Sequence, residues 1–183
     1  MAFEFRIQMK GISRPPVWRQ LKIPDNCTFH QFHLAIQISF GWYNSHLYLF
    51  SKRGFGSDFS IQIPYGESEF NEVDSRKTKL KSIFKKVGDQ FLYIYDFGDS
   101  WTHHIILDKI TTEKILKPIC INGKGKCPPE DCGGVDGYQD FLEAVQNPDN
   151  PEYEETRVWI GLENDEEWNP AEFDLEEVNK MLD

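Results

Sequence analysis

Phe3, Phe5, Ile7 and Met9 occupy alternate positions near the start of the chain, and Val17, Arg19, Leu21 and Ile23 repeat that period-two pattern a few residues later. Strands are predicted over 3–9 and 17–23, joined through the breaker-rich GISRPP as an antiparallel pair with a longer connection. Beyond Pro24 the period changes. Thr28 and Gln31 have the spacing of a capping box, Phe29, Phe32, His33, Ile36 and Phe40 fall on or near one helical stripe, and Gly41 supplies a left-handed stop. A helix is expected between them. HLYLF at 46–50 and FSIQI at 59–63 read as further strands on either side of the turn GFGSD, and the polar stretch 64–74 reads as a loop.

Leu80, Ile83, Phe84 and Val87 recur at helical spacing before Gly88, which predicts a short amphipathic helix over 78–87. Residues 90–96 and 101–107 are rich in β-formers on both sides of Phe97-Gly98-Asp99-Ser100. A tight turn centred on Gly98-Asp99 would pair Asp96 with Trp101, placing Asp96, Ile94 and Leu92 on one face with Trp101, His103 and Ile105. The stretch 118–134, rich in Pro, Gly and Cys, is expected to be an ordered loop. Tyr138, Phe141, Leu142 and Val145 mark a helix ended by Asn147-Pro148, and 151–160 allow another. A last helix is signalled by Asp174 as N-cap, Glu177 three residues on, and Phe173 with Val178 as a hydrophobic staple. The pattern adds up to an α+β fold: a mainly antiparallel sheet with packed helices and a helical acidic C-terminal region, in a single domain over 1–183.

Composition adds two constraints. With 39% hydrophobic and 14% aromatic residues, the chain is suited to a packed globule rather than disorder. The net charge of −10 hides an asymmetry, because residues 1–129 carry 18 basic and 12 acidic side chains and residues 130–183 carry 2 and 18. Any DNA contact would have to use the basic front, where Lys77, Lys79, Lys81, Lys85 and Lys86 lie on the wet side of the 78–87 helix; an ordinary solvated face is the simpler explanation of them. The N-terminus has no signal-peptide pattern and no run of about 18 apolar residues occurs, so the expected location is the cytoplasm, with no membrane partner. Four cysteines are too few and too clustered for a secreted disulfide framework.

Candidate chemistry concentrates in YIYDFGDSWTHH at 93–104 and CPPEDCGG at 127–134. Asp96 beside His103 would orient the imidazole for general-base work or for a metal. The competing reading has Asp96 and Asp99 accepting hydrogen bonds from their own turn while His103 packs beside Trp101. Pro128-Pro129 stiffens the segment that presents Glu130 and Asp131, and Cys132-Gly133-Gly134 permits close backbone approach. Asp131 could instead cap a turn or the next helix, or both carboxylates could tether Arg14, Arg19 or Arg157. The candidate catalytic set is therefore Asp96, His103, Glu130 and Asp131. A zinc site could use Cys120, Cys127 and Cys132 with His103, although C-x6-C-x4-C lacks a clean knuckle. No cofactor is required by the pattern, and a divalent metal is the one it could accommodate. Motifs for a P-loop, a dinucleotide fold, a zincin, a nucleophile elbow or an EF-hand are absent.

YIYDFGDSWTHHIIL at 93–107 and CINGKGKCPPEDCGGVDGYQDFLEAV at 120–145, with PPVWRQLKIPDNCTFHQFHLAIQISFGW at 15–42 and HLYLF at 46–50, resemble the plasmid pRiA4b open-reading-frame-three-like family over nearly the whole chain. The resemblance implies a single α+β domain with no established biochemical activity. Its pattern carries over to Asp96, Gly98, Asp99, Trp101, His103, Pro129, Glu130, Asp131, Gly133 and Gly134. Some members are labelled resolvase-like because they travel with mobile elements, but Ser13-Arg14 in a Pro-bounded loop is a poor resolvase nucleophile. Three classes remain. The leading one is a non-enzymatic binding or accessory protein whose two motifs, including Asp99, Trp101, Gly133 and Gly134, build one surface. The second is a metal-dependent hydrolase of phosphoesterase or nuclease type; the third is a DNA-associated module of mobile-element origin. The first two turn on whether the two motifs meet in space.

Overall fold

The computed structural model describes residues 1–65, 71–163 and 165–183. Its N-terminal pair is β1 (Ala2–Ser13) and β2 (Pro16–Pro24), antiparallel, with Ser13 opposite Pro16. The connection is thus two residues rather than the longer loop expected, because β1 runs on past a register shift between Gln8 and Ser13. Phe3, Phe5, Ile7 and Met9 are buried on one face together with Val17, Leu21 and Ile23 of the partner strand.

Helix α1 (Phe29–Phe40) lies across that face, with Phe32 4.7 Å from Phe5 between ring centres. Both arms of the capping box form: Thr28 Oγ1 accepts from Gln31 N at 3.1 Å, and Gln31 Oε1 accepts from Thr28 N at 2.9 Å. Gly41, at φ 83°, ends the helix as expected. Thr28→Ala is expected to cost about 1 kcal/mol, read as a shift in the urea midpoint. An unchanged midpoint would mean that the cap is redundant.

The remaining strands are β3 (Tyr48–Ser51), β4 (Phe59–Gln62), β5 (Asn71–Asp74), β6 (Gln90–Tyr95), β7 (Trp101–Thr111) and β8 (Ile119–Lys124). They join one eight-stranded sheet in the order β5-β4-β3-β6-β7-β1-β2-β8, antiparallel at every junction except β4 with β5. The fold is α+β. Residues 71–74 are therefore a strand, where the sequence had suggested loop; residues 66–70 of that stretch lie outside the described residues.

The helix expected over 78–87 contracts to a single turn, α2 (Leu80–Ile83). The Asp89 carboxylate accepts from the backbone N–H groups of Lys85 and Lys86 at 2.7 and 3.0 Å, a local alternative to helical bonding. Phe84, now extended, drops into the core 4.8 Å from Phe5 and 5.5 Å from Phe91, while Val87 is left 58% exposed. The lysines therefore do not form one continuous helical stripe.

Helices α3 (Gly134–Gln146), α4 (Tyr153–Trp159) and α5 (Leu175–Met181) make up the acidic C-terminal region. Asp174 caps α5 by accepting from Glu176 N and Glu177 N. Asn179 exchanges two hydrogen bonds with the backbone of Cys120, at 2.8 and 2.9 Å, so α5 covers the exposed edge of β8. Among the described residues no helix is long and apolar enough to cross a membrane.

Candidate metal centre

The site begins with the β6–β7 hairpin. Tyr95 pairs with Trp101 and Tyr93 with His103, one position away from the register expected from a tight turn. The cause is a five-residue loop, 96–100, in which Asp96 and Ser100 take left-handed conformations at φ 55° and 56°. Ser100 N donates to the Asp96 carbonyl at 2.6 Å, and Gly98 N donates to Asp96 Oδ1 at 2.9 Å. A one-residue slip exchanges the faces of a strand. His103 therefore shares its face with Tyr93, Tyr95 and Trp101, and the expected common face for Asp96 and His103 is not formed.

His103 is fully buried, edge-on to Phe40 at 5.0 Å and to Trp42 at 5.4 Å. Its Nδ1 must carry the proton, since its 3.0 Å partner, the Trp101 carbonyl, can only accept. Burial pushes this imidazole down to about 4, so it stays neutral in the core.

The two motifs meet. Gly133 N donates to Asp99 Oδ2 at 3.1 Å, and Gly134, at φ 72°, lies so close that a Cβ there would stand 2.6 Å from the Asp99 carbonyl oxygen. Tyr95 donates its hydroxyl proton to Glu130 Oε1 at 2.5 Å, and Tyr43 N donates to the same oxygen at 3.1 Å. Trp42 Nε1 closes the join by donating to the Pro128 carbonyl at 3.1 Å. Burial first, and then the neighbouring Glu130 carboxylate, raises the Tyr95 phenol well above its ordinary range, which keeps it a donor.

The imidazole at this junction is His46, which the sequence marks only as the first position of an expected strand. Its Nε2 lies 3.2 Å from Asp131 Oδ1 and 3.7 Å from Asp96 Oδ2. The three ligand atoms fall within 4.8 Å of one another, and this is the one such group of His, Cys, Asp or Glu among the described residues. Nε2 is buried and makes no aligned hydrogen bond despite its two carboxylate neighbours. Donor atoms around a tetrahedral ion bound at about 2.1 Å are separated by roughly 3.4 Å, a spacing that the two distances from His46 Nε2 bracket.

Local structure explains the convergence. Asp96 N donates to the Leu47 carbonyl at 2.9 Å, which ties the end of β6 to the residue after His46. The 44–46 turn is fixed from beneath: Asn44 N donates to Gln37 Oε1 at 3.0 Å, and Ser45 N to the Tyr95 hydroxyl at 2.9 Å. Buried His33 donates from Nε2 to Asn44 Oδ1 at 2.6 Å and accepts at Nδ1 from Tyr93 at 2.7 Å. Asn44, Asp96, Ser100 and Asp131 are the non-glycine residues with positive φ among those described, and all four belong to the segments that form the site. Such backbone is maintained only where the surroundings over-determine it.

The other candidates lie elsewhere. Cys120, Cys127 and Cys132 do not converge with His103 into a ligand group. Burial, and then the charge of Asp99, pushes the Cys132 thiol up to about 12, and burial raises the Cys127 thiol well above its ordinary value, so neither favours the thiolate a metal needs. Arg19 does not tether the carboxylates: its guanidinium donates to the carbonyls of Trp18, Ser39, Lys124 and Gly125. Arg157 donates to the Glu163 carbonyl.

A family model described as Plasmid pRiA4b ORF-3-like protein matches residues 1–177. An uncharacterised protein, y4hQ of Sinorhizobium fredii (strain NBRC 101917 / NGR234), is 35% identical over 174 residues, covering 92% of this chain and 84% of that one. The crystal structure of MM3350 from Methanosarcina mazei Go1, a protein of unknown function, has a TM-score of 0.80 to this chain at 34% identity, covering 96% and 95% of the two chains.

Proposed function

The chain belongs to the Plasmid pRiA4b ORF-3-like family, and from that premise we propose that it is a binding protein built around one divalent cation held by His46, Asp96 and Asp131. The two relatives named above are themselves uncharacterised and bring no activity with them. The convergence of three ligand atoms from three separate segments carries the reading. An imidazole with two carboxylates suits zinc, manganese or cobalt better than magnesium, which prefers an all-oxygen shell. An ion here would tie the 96–100 loop and the 127–134 loop to the turn that bears His46.

Isothermal titration of chelator-stripped protein with Zn²⁺, Mn²⁺ and Mg²⁺ tests this. One site per chain is expected, favouring the first two ions, with stability rising by about 2.7 kcal/mol when the ion is at a hundredfold its Kd. His46→Ala and Asp131→Asn should each abolish that rise. Undiminished binding by His46→Ala would sink the proposal.

The hydrolase reading draws on one further observation: with Asp131 69% exposed, the ion would keep a face toward solvent where water or a phosphoester could bind. Metal-dependent turnover of bis(p-nitrophenyl) phosphate that disappears in His46→Ala would favour it over binding alone. The cytoplasm remains the proposed compartment, on the cysteine usage of the sequence.

A further inference from the structure

We propose that the groove between the end of α1, the 126–131 loop and the C-terminal helices binds an extended peptide that carries both basic and apolar side chains. This cavity, of about 750 Å³, borders the cation site through Asp131 but does not depend on it. Tyr43 is 84% exposed, Trp159 50% and Met181 54%, and all three line this one groove over buried Trp42. Exposed apolar residues scattered singly are ordinary; gathered around one concavity they mark a contact surface.

Charge identifies the occupant. Glu130, Asp131, Glu172, Asp174 and Glu177 line the groove, against Arg19 and Lys126. Both cations are already committed, and Glu172 is the one carboxylate they neutralise; Glu130 accepts from Tyr95 and Tyr43 and Asp174 from the first N–H groups of α5, but neither meets a cation among the described residues. Arg19 is buried with its guanidinium donated to four backbone carbonyls, and Lys126 pairs with Glu172 at 2.6 Å while lying 4.5 Å over the Trp168 ring. Glu177 has no ion-pair partner among the described residues. The region 130–183, to which these five carboxylates belong, carries 18 acidic side chains and 2 basic ones. Lysine and arginine meet all of these demands at once: their stems cover aromatic surface, their charges answer carboxylates, and indole faces attract cations. Because the carboxylates are spread over the loop, the segment before α5 and α5 itself, repeated cations on one chain fit better than a single small cation.

The test is fluorescence anisotropy of the full chain in buffer containing EDTA, so that failure of the cation site does not affect the readout. The probe is a fluorescein-labelled twelve-residue peptide of alternating Lys and Leu, compared with alternating Lys and Gly and with alternating Glu and Leu. The Lys–Leu peptide is expected to bind about tenfold or more tightly than Lys–Gly, and Glu–Leu not at all. Trp159→Ala and Glu177→Lys, both at exposed positions, are each expected to weaken Lys–Leu binding about fivefold, with the circular dichroism spectrum unchanged. Equal affinity for Lys–Leu and Lys–Gly, or indifference to both variants, would reduce the groove to a generally acidic surface and overturn the proposal. So would absence of binding, or a concentration-dependent dimer that buries Trp159, which would assign the groove to a second copy of this chain.

Discussion

Gly134→Ala is expected to destabilise the protein by about 3 kcal/mol, well beyond the same change at Gly41. Both glycines have positive φ, 72° and 83°, so both variants bear the left-handed penalty of about 1 kcal/mol for a Cβ. At Gly41 the new methyl meets nothing within 4 Å. At Gly134 it stands 2.6 Å from the carbonyl oxygen of Asp99, a backbone atom that cannot rotate aside. The hairpin loop and the cysteine loop must then separate, which also breaks the 3.1 Å bond from Gly133 N to Asp99 Oδ2. Asp96 and Asp131 lie on these two loops, so cation affinity should fall along with stability. Urea unfolding of the two variants measures the difference directly. Equal midpoints would mean that the loops do not bear on one another.

Acidification from pH 6.5 to 4 is expected to remove on the order of 5 kcal/mol of stability, mostly through two histidines. Burial holds His33 at about 3 and His103 at about 4, whereas in the unfolded chain both titrate near 6.5. Between those values the unfolded state binds protons that the folded state refuses, so stability falls as pH falls, by about 1.4 kcal/mol per pH unit for each histidine. Above about pH 7.5 both states are neutral at these positions and the contribution is flat. His103→Phe removes one of the two groups, and its urea midpoint should show about half the dependence on pH over that window. A slope equal to that of the unaltered protein would show that His103 is protonated in the folded state.

The elements governed by local chemistry were legible in the sequence. Thr28 and Gln31 announce a helix start because the capping box is made within four residues, and Gly41 marks its end because a left-handed residue is needed there. Alternation over 3–9 and 17–23 identified the buried face of β1 and β2, since period two is fixed by the pleat. What failed depended on contacts remote in sequence. The helix over 78–87 was overridden when Phe84 found Phe5 and Phe91. Strand β5 has no strong pattern of its own, and its parallel pairing with β4 is not encoded by any turn. The hairpin slipped by one residue because Asp96 accepted a left-handed conformation, which aspartate tolerates better than most residues.

His46 was hidden for the same reason. A histidine just before a strand carries no motif, and it becomes a candidate ligand only once Tyr48 is seen to pair with Tyr95, which brings the mouth of β3 beside Asp96. The strands over 46–50 and 90–96 were both readable; their adjacency was not. By contrast, the concentration of chemistry in YDFGDSW and PPEDCGG picked out two loops that meet in space, while His103, just beyond the first of them, turned inward.

Anomalous diffraction from crystals grown with Mn²⁺ or Zn²⁺ tests the cation site most directly. A single peak is expected about 2.0–2.2 Å from His46 Nε2 and from carboxylate oxygens of Asp96 and Asp131. Full ion concentration with no peak among those three side chains, or a peak at Cys120 or Cys127 instead, would contradict it.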